Sequence, residues 1–328
     1  MTKYVYKFLL VFVLSLFGCE DPTTFSVSEK STHKFIDNLV YLAQFTDDSQ
    51  ELTVIDEKRN LYVWNLDTKQ LIFSLAPSET PEELRAFFYK KVAGLLIIAG
   101  ANYIDLWDVK QKSKLGRLKI ESDEPLAKIS ALNLSRHAGL IAIGMTDGTL
   151  FVYNRSSNSS IKEQIHDSTI NHLFFDDADR YVLSGGLDGK ISKRAVSNLE
   201  IQYEKKFKTR LSSLAFNNES GLVFASDVLK EQVVFDFNSG ERISHLDYSS
   251  RFRWFREALF LDDKKHLLTT TPKTDISIWS IKTGKELFTW SSKVLSLGST
   301  TMDVKSDGED IVTVTSEGVY QKWSLIKQ

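Results

Sequence analysis

The sequence has only one cysteine, and neither sign of charge is in excess. The lone Cys19 excludes an intramolecular disulfide and any metal site built from several cysteines. Lysine and arginine together number 41 against 43 aspartates and glutamates, so the net charge of −2 gives no indication of a nucleic-acid partner. Hydrophobic residues at 42% and charged residues at 26% are ordinary for a folded globular protein and argue against long disordered regions.

Helical periodicity and catalytic motifs are also lacking. Beyond the N-terminus, no window of about 15 residues keeps apolar residues at the spacing of an amphipathic helix. The six histidines do not have the spacing of zinc ligands, and no nucleophile elbow, phosphate loop or metalloprotease motif occurs. The sequence therefore predicts neither a cofactor nor a metal, and it favours a protein that is not an enzyme.

The N-terminus carries a short apolar run behind two lysines. Lys3 and Lys7 precede the ten apolar or small residues 8–17. A helix of that length covers only ~15 Å of a ~30 Å hydrocarbon core, which is too short for a transmembrane span. The charge and length are typical of the hydrophobic region of a signal peptide.

The residues from Leu16 to Cys19 resemble the lipobox of bacterial lipoproteins, although Phe17 is bulkier than usual at its position. The resemblance implies that residues 1–18 are removed, that the Cys19 thiol is lipidated, and that residues 19–22 form a short tether. It also implies a Gram-negative envelope protein that faces the periplasm. Glu20 stands where the inner-membrane retention signal has aspartate, which slightly favours the outer membrane. The alternative is an unlipidated signal peptide in which Cys19 has no role.

Short strand-like segments that end in an aromatic residue recur at spacings of 41 to 46 residues. They end at Trp64, Trp107, Tyr153, Phe235, Trp279 and Trp323, with Arg194 in the fourth place. A period of about 40–45 residues with four strands per unit is the signature of a WD40-type blade. The seven positions predict an all-β chain in which residues 23–328 form one seven-bladed β-propeller with four antiparallel strands per blade.

The fourth repeat carries the closest likeness to a known family. The segment from His166 to Ile191 resembles the WD40 repeat, in which a His, a Ser or Thr, a Trp and an Asp form a hydrogen-bonded tetrad. The resemblance assigns His166, Ser184 and Asp188 to that structural tetrad. Arg194 replaces the tryptophan and leaves the tetrad incomplete.

The last repeat is one strand short, because only five residues follow Trp323. An open blade would present an unpaired edge, which folded proteins avoid. Residues 23–28 alternate polar and apolar side chains and are predicted to supply the missing strand. An N-terminal strand would then close the ring.

One segment between the fifth and sixth repeats combines arginine with aromatic residues. Both types are enriched at binding hot spots, because they join apolar area to directional hydrogen-bond donors. The alternative is that Trp254 and Phe255 begin a core strand while the arginines remain in solvent. The residues predicted to bind a partner are Arg251, Phe252, Arg253, Trp254 and Arg256.

These observations favour a monomeric, membrane-anchored propeller that acts as a protein-interaction scaffold in the cell envelope, with an unknown envelope protein as its partner. Two alternatives remain: an accessory propeller of outer-membrane assembly, and a propeller enzyme of hydrolase, lactonase or quinoprotein type. Residues 279–288 are similar to a quinoprotein repeat, but 16 glycines are too few for that family's motifs. Acidic side chains that converge in the channel would favour the enzyme, whereas an exposed arginine and aromatic face would favour the scaffold.

Overall fold

The computed structural model describes residues 24–247 and 254–327, which form a ring of seven four-stranded antiparallel sheets. The predicted all-β propeller of seven blades is therefore confirmed. The 3-10 turn Lys91–Ala93 is the one helical element within these two ranges. Cys19 and the tether lie outside the described residues, as do Arg251, Phe252 and Arg253.

In blades one to six, the four strands follow the chain from the innermost strand, A, to the outermost strand, D. Blade one has β2 (Val40–Phe45), β3 (Glu51–Asp56), β4 (Leu61–Asn65) and β5 (Leu71–Leu75). Blade two has β6 (Ala86–Lys90), β7 (Leu95–Ala99), β8 (Tyr103–Asp108) and β9 (Ser113–Lys119). Blade three has β10 (Ile129–Leu134), β11 (Leu140–Met145), β12 (Thr149–Asn154) and β13 (Ser159–Gln164).

The remaining blades continue the same order. Blade four has β14 (Ile170–Phe175), β15 (Tyr181–Gly186), β16 (Lys190–Ala195) and β17 (Ile201–Lys206). Blade five has β18 (Leu211–Asn217), β19 (Leu222–Asp227), β20 (Gln232–Asp236) and β21 (Arg242–His245). Blade six has β22 (Ala258–Phe260), β23 (His266–Thr270), β24 (Asp275–Ser280) and β25 (Glu286–Ser291). Blade seven has β26 (Thr301–Asp307), β27 (Asp310–Thr315), β28 (Val319–Lys327) and β1 (Phe25–Lys34).

The core lies between the faces of neighbouring blades. The B strand β7, with the sequence LLIIA, is buried along its whole length, whereas the D strand β13, SSIKEQ, is fully exposed. Strands buried on both faces read as continuous apolar runs, and outer strands read as polar. The repeated aromatic residues fill the wedges between blades: Trp107 packs with Phe73 of blade one, and Trp279 packs with Phe224 of blade five.

Strand β1 closes the ring, as predicted. It pairs antiparallel with β28, from Phe25 opposite Lys327 to Lys34 opposite Val319. The strand extends beyond the predicted 23–28: a bulge between Glu29 and Ser31 shifts the register by one residue, and the pairing continues to Lys34. Phe25 is buried in the cluster that joins blades six and seven.

The propeller has two distinct ends. The A–B and C–D turns meet at one end, which we call the turn face; there the N–H of Leu66 donates to the carbonyl of Gln50 at 2.9 Å. The D–A connections and B–C turns meet at the other end, the connection face, where the N–H of Val40 donates to Ser316 at 2.8 Å. Strand β1 begins at the turn face, because the ring of Phe25 lies 4.9 Å from that of His266, directly after the A–B turn of blade six.

Candidate functional site

The three predicted tetrad residues come together in blade four. His166 Nδ1 lies 3.0 Å from Asp188 Oδ1, and His166 Nε2 lies 2.9 Å from Ser184 Oγ. Burial lowers the pKa of His166, and the attraction of Asp188 offsets this only in part. The imidazole is buried, so this network joins the D–A connection to strand β15 and has no opening toward a ligand.

Arg194 occupies the place of the tetrad tryptophan but makes a network of its own. Its guanidinium donates to Ser192 Oγ at 2.8 Å, and to Glu163 and Glu204 at 3.0 Å each. The side chain is buried, so these partners compensate for the desolvation of the charge. The arginine therefore links strands β13, β16 and β17, at the place where the other six repeats have an aromatic ring.

The segment predicted to bind a partner is divided between three environments. Trp254 lies on the connection face with 38% of its surface exposed. Phe255 is fully buried, with its ring 5.7 Å from that of Trp279, so it is part of the core. Arg256 turns toward blade seven, where its guanidinium donates to Thr300 Oγ1 at 3.2 Å and to Met302 Sδ at 3.4 Å.

Exposed apolar side chains gather on the connection face. Leu295 and Leu297, in the connection between blades six and seven, are 69% and 104% exposed. Other large apolar residues exposed on this face are Leu39, Tyr41, Leu126, Leu187, Leu229, Trp254 and Val294. Leu295 and Leu297 lie two residues apart in one connection, and apolar side chains exposed together mark interaction sites more often than scattered ones do.

Two of the carboxyl groups that line the central channel interact with each other; the channel is a cavity of about 930 Å³ that is lined mainly by the A strands. Glu257 directly precedes β22 of blade six, and Asp303 lies on β26 of blade seven. Asp303 accepts the N–H of Phe45 at 2.6 Å and that of Val304 at 2.8 Å, which fixes its carboxylate between blades seven and one.

The two channel acids hold their protons more tightly than isolated acids do. Burial in the channel and the nearby Asp303 raise the pKa of Glu257, which outweighs the attraction of Arg256 and Lys305. Burial also raises the pKa of Asp303, against the opposing effects of Lys305 and the two backbone N–H groups. Two acids that interact in this way release their protons as a pair, and one can donate a proton while the other accepts one.

The channel and the connection face differ in what they offer chemically. Within residues 24–247 and 254–327, no group of three or more His, Cys, Asp or Glu side chains converges to hold a metal ion. The same residues contain no helix of sufficient length and apolarity to span a bilayer. The channel offers a carboxyl pair for proton transfer, and the connection face offers apolar area for contact.

Sequence reasoning missed both the carboxyl pair and the exposed leucines. Glu257 and Asp303 belong to different repeats and meet only because the ring brings their blades together. Leu295 and Leu297 lie in a stretch whose apolar residues are compatible with a buried strand. The one available signal was the position of this stretch between two repeats, where a connection is expected.

Comparison with known proteins adds no family assignment: neither a protein-family model nor a curated protein matches the chain.

The raised pKa of Glu257 makes the stability of the propeller depend on pH. The folded protein keeps a proton on Glu257 that the unfolded chain releases near the ordinary pKa of 4.5. The contribution of the neutral carboxyl group to stability is therefore complete below pH 4.5. This contribution is lost as the pH rises through the pKa of Glu257 in the folded protein. Glu257→Gln stays neutral at every pH, so we expect it to be more stable than the parent by about 1–2 kcal/mol at alkaline pH. Urea unfolding across the pH range measures this difference.

The control for this experiment is Glu309→Gln, which alters an exposed acid at the turn face. We expect its pH profile to follow that of the parent. An identical pH profile for the parent and Glu257→Gln would contradict the raised pKa.

Proposed function

We propose that this protein is a lipid-anchored propeller of the bacterial cell envelope that faces the periplasm and binds a partner protein through its connection face. The observation that carries the proposal is the gathering of exposed apolar side chains on that face, in particular Trp254, Leu295 and Leu297. Rigid blades would hold these connections in position, and recognition rather than chemistry would be the activity.

The position of β1 supports an orientation for the anchored protein. Phe25 follows Cys19 by six residues, which span at most about 20 Å when fully extended. Strand β1 begins at the turn face, beside the A–B turn of blade six. An anchor on Cys19 would therefore keep the turn face toward the membrane and turn the connection face toward the periplasm.

Lipidation of Cys19 is tested by its removal. We expect Cys19→Ser to move the protein from the membrane fraction to the soluble periplasmic fraction, because several acyl chains contribute ~0.8 kcal/mol per buried CH₂ to membrane binding. Fractionation measures the membrane association, and metabolic labelling with radioactive palmitate measures the lipidation itself. Firm membrane association of an unlabelled Cys19→Ser protein would contradict the anchor.

Partner binding is tested by altering the apolar residues of the connection face. We expect Trp254→Ala combined with Leu297→Glu to lower the yield of partner cross-linked in intact envelopes by at least about tenfold, since truncation of a hot spot typically costs ≥ ~2 kcal/mol. Leu297 is fully exposed but Trp254 is only 38% exposed, so urea unfolding of the double variant has to show that the propeller is still folded.

The matched control is Val92→Glu, which alters a residue 66% exposed on the turn face. We expect this variant to capture the partner as the parent does. Equal losses in the control and the double variant would assign the effect to general damage and would count against the connection face.

A second candidate function is favoured by the carboxyl pair in the channel. In a hydrolase, protonated Glu257 would donate a proton to the leaving group while the Asp303 carboxylate activates water. The channel, at about 930 Å³, has room for a small substrate.

This alternative predicts hydrolysis that depends on the pair. Purified protein assayed against nitrophenyl esters, nitrophenyl glycosides and lactones should show activity that falls about 100-fold in Asp303→Asn. The control is Asp37→Asn, whose carboxyl is fully exposed on the connection face. Absence of hydrolysis with all three substrate classes, or activity that survives in Asp303→Asn, would exclude this role for the pair.

A further inference from the structure

The connection face is divided by charge. The connections and B–C turns of one side, residues 57–60, 76–85, 100–102, 120–128 and 146–148, carry eight acidic and four basic side chains. We call this side the acidic sector. The described connections and turns of the other side, residues 207–210, 228–231, 246–247, 254–257, 271–274, 292–300 and 316–318, carry six basic and four acidic side chains. We call this side the basic sector.

Four of the six cations of the basic sector form no ion pair with a described residue, although Glu231 follows Lys230 in the chain and accepts the backbone N–H of Lys208 at 3.3 Å. Lys208, Arg210, Lys230 and Lys273 are exposed, and none of them forms an ion pair with another described residue. In the acidic sector, by contrast, Lys128 and Arg85 are both paired with Glu83. The basic sector therefore presents positive charge that the protein itself does not neutralise.

Several exposed apolar side chains of this face lie among those cations, although Leu126, which is 82% exposed, lies in the acidic sector. Leu229 directly precedes Lys230 in the B–C turn of blade five, and Trp254 follows at the entry to blade six. Val294, Leu295 and Leu297 lie beyond Lys273, in the connection to blade seven. Apolar area and unpaired positive charge thus occupy the same part of the face.

The connection that carries the leucines is fastened at its backbone. The N–H of Leu295 donates to Glu317 Oε2 at 2.7 Å, and the N–H of Lys293 donates to Gln321 Oε1 at 2.9 Å. Ser296 Oγ also donates to Glu317, and Glu317 and Gln321 are themselves buried. These bonds hold the backbone of the connection while its leucines are exposed, which lowers the conformational entropy that the connection loses when a partner binds.

We propose that the basic sector binds a segment of a partner protein in which apolar side chains are bordered by aspartate or glutamate. The inference rests on the proposed function, because it defines the chemistry of the partner that the connection face would bind. Charge complementarity supplies the argument: carboxylates match the four unpaired cations, and apolar side chains match the leucines and Trp254.

A protein fits this face better than an anionic membrane does. A bilayer that carries negative charge over its whole surface would attract the basic sector but repel the acidic sector on the same face. A protein surface can place negative charge opposite one sector only. The membrane is therefore the alternative that the experiment has to exclude.

The experiment places the photoreactive residue benzoylphenylalanine at Leu297 of the full chain in living cells, with Val92 as the reference position on the turn face. Cross-linked peptides are identified by mass spectrometry in the parent and in Lys230→Glu combined with Lys273→Glu. The matched control is Lys110→Glu combined with Lys265→Glu, which reverses two exposed charges on the turn face. Binding to vesicles of phosphatidylethanolamine and phosphatidylglycerol is measured with the same proteins.

We expect the peptides captured at Leu297 to be rich in acidic and apolar residues, and their yield to fall about tenfold in Lys230→Glu with Lys273→Glu but not in the control. A captured peptide that is basic, or a yield unchanged by charge reversal, would overturn this inference and leave the proposed function in place. Cross-links to lipid, or vesicle binding lost on charge reversal, would overturn it in favour of a membrane. Equal capture at Leu297 and Val92 would overturn the inference and the proposed function together.

Discussion

The pairing of β1 with β28 is the interaction on which the rest of the propeller depends. Blade seven receives its outermost strand from the other end of the chain, so this one ladder joins the first strand to the last. It also completes the cluster that contains Phe25, Leu325 and the blade-six residues Leu268 and Ile276. Each blade buries its faces only against its neighbours, so an opening at this point would expose apolar surface on both sides of the break.

The two ends of the closed ring carry different features. The turn face receives the N-terminal strand, whereas the connection face carries the exposed apolar side chains. The frame also fixes details of the connection face, as when buried Glu317 holds the backbone of the loop that presents Leu295. Binding surfaces on rigid scaffolds combine in this way a constant frame with variable connections.

The sequence indicated the fold because the physics of the fold repeats. An aromatic residue stands at the same place in six of the seven repeats, so the spacing of Trp64, Trp107 and Trp279 indicated the blade period. The network of His166, Ser184 and Asp188 followed from a local motif within one repeat. The end of β1 was harder to predict, because the bulge beside Glu29 interrupts its alternation.

Glu257 and Asp303 could not be paired from the sequence, since only the closed ring brings blades six and seven to one channel. The exposure of Leu297 depends on the loop conformation that Glu317 enforces, and no local pattern encodes it.

The closing ladder also has a consequence for the order of folding. Among the strands of residues 24–247 and 254–327, β1 comes first and β28 last, so their pairing has the largest sequence separation of any pair of described strands. Contacts of this kind form late, because the intervening chain must be ordered first. Until then, blade seven has an open edge that can pair with another chain, which is a known route to aggregation. The protein is therefore most prone to aggregation after six blades have formed and before β1 has paired with β28.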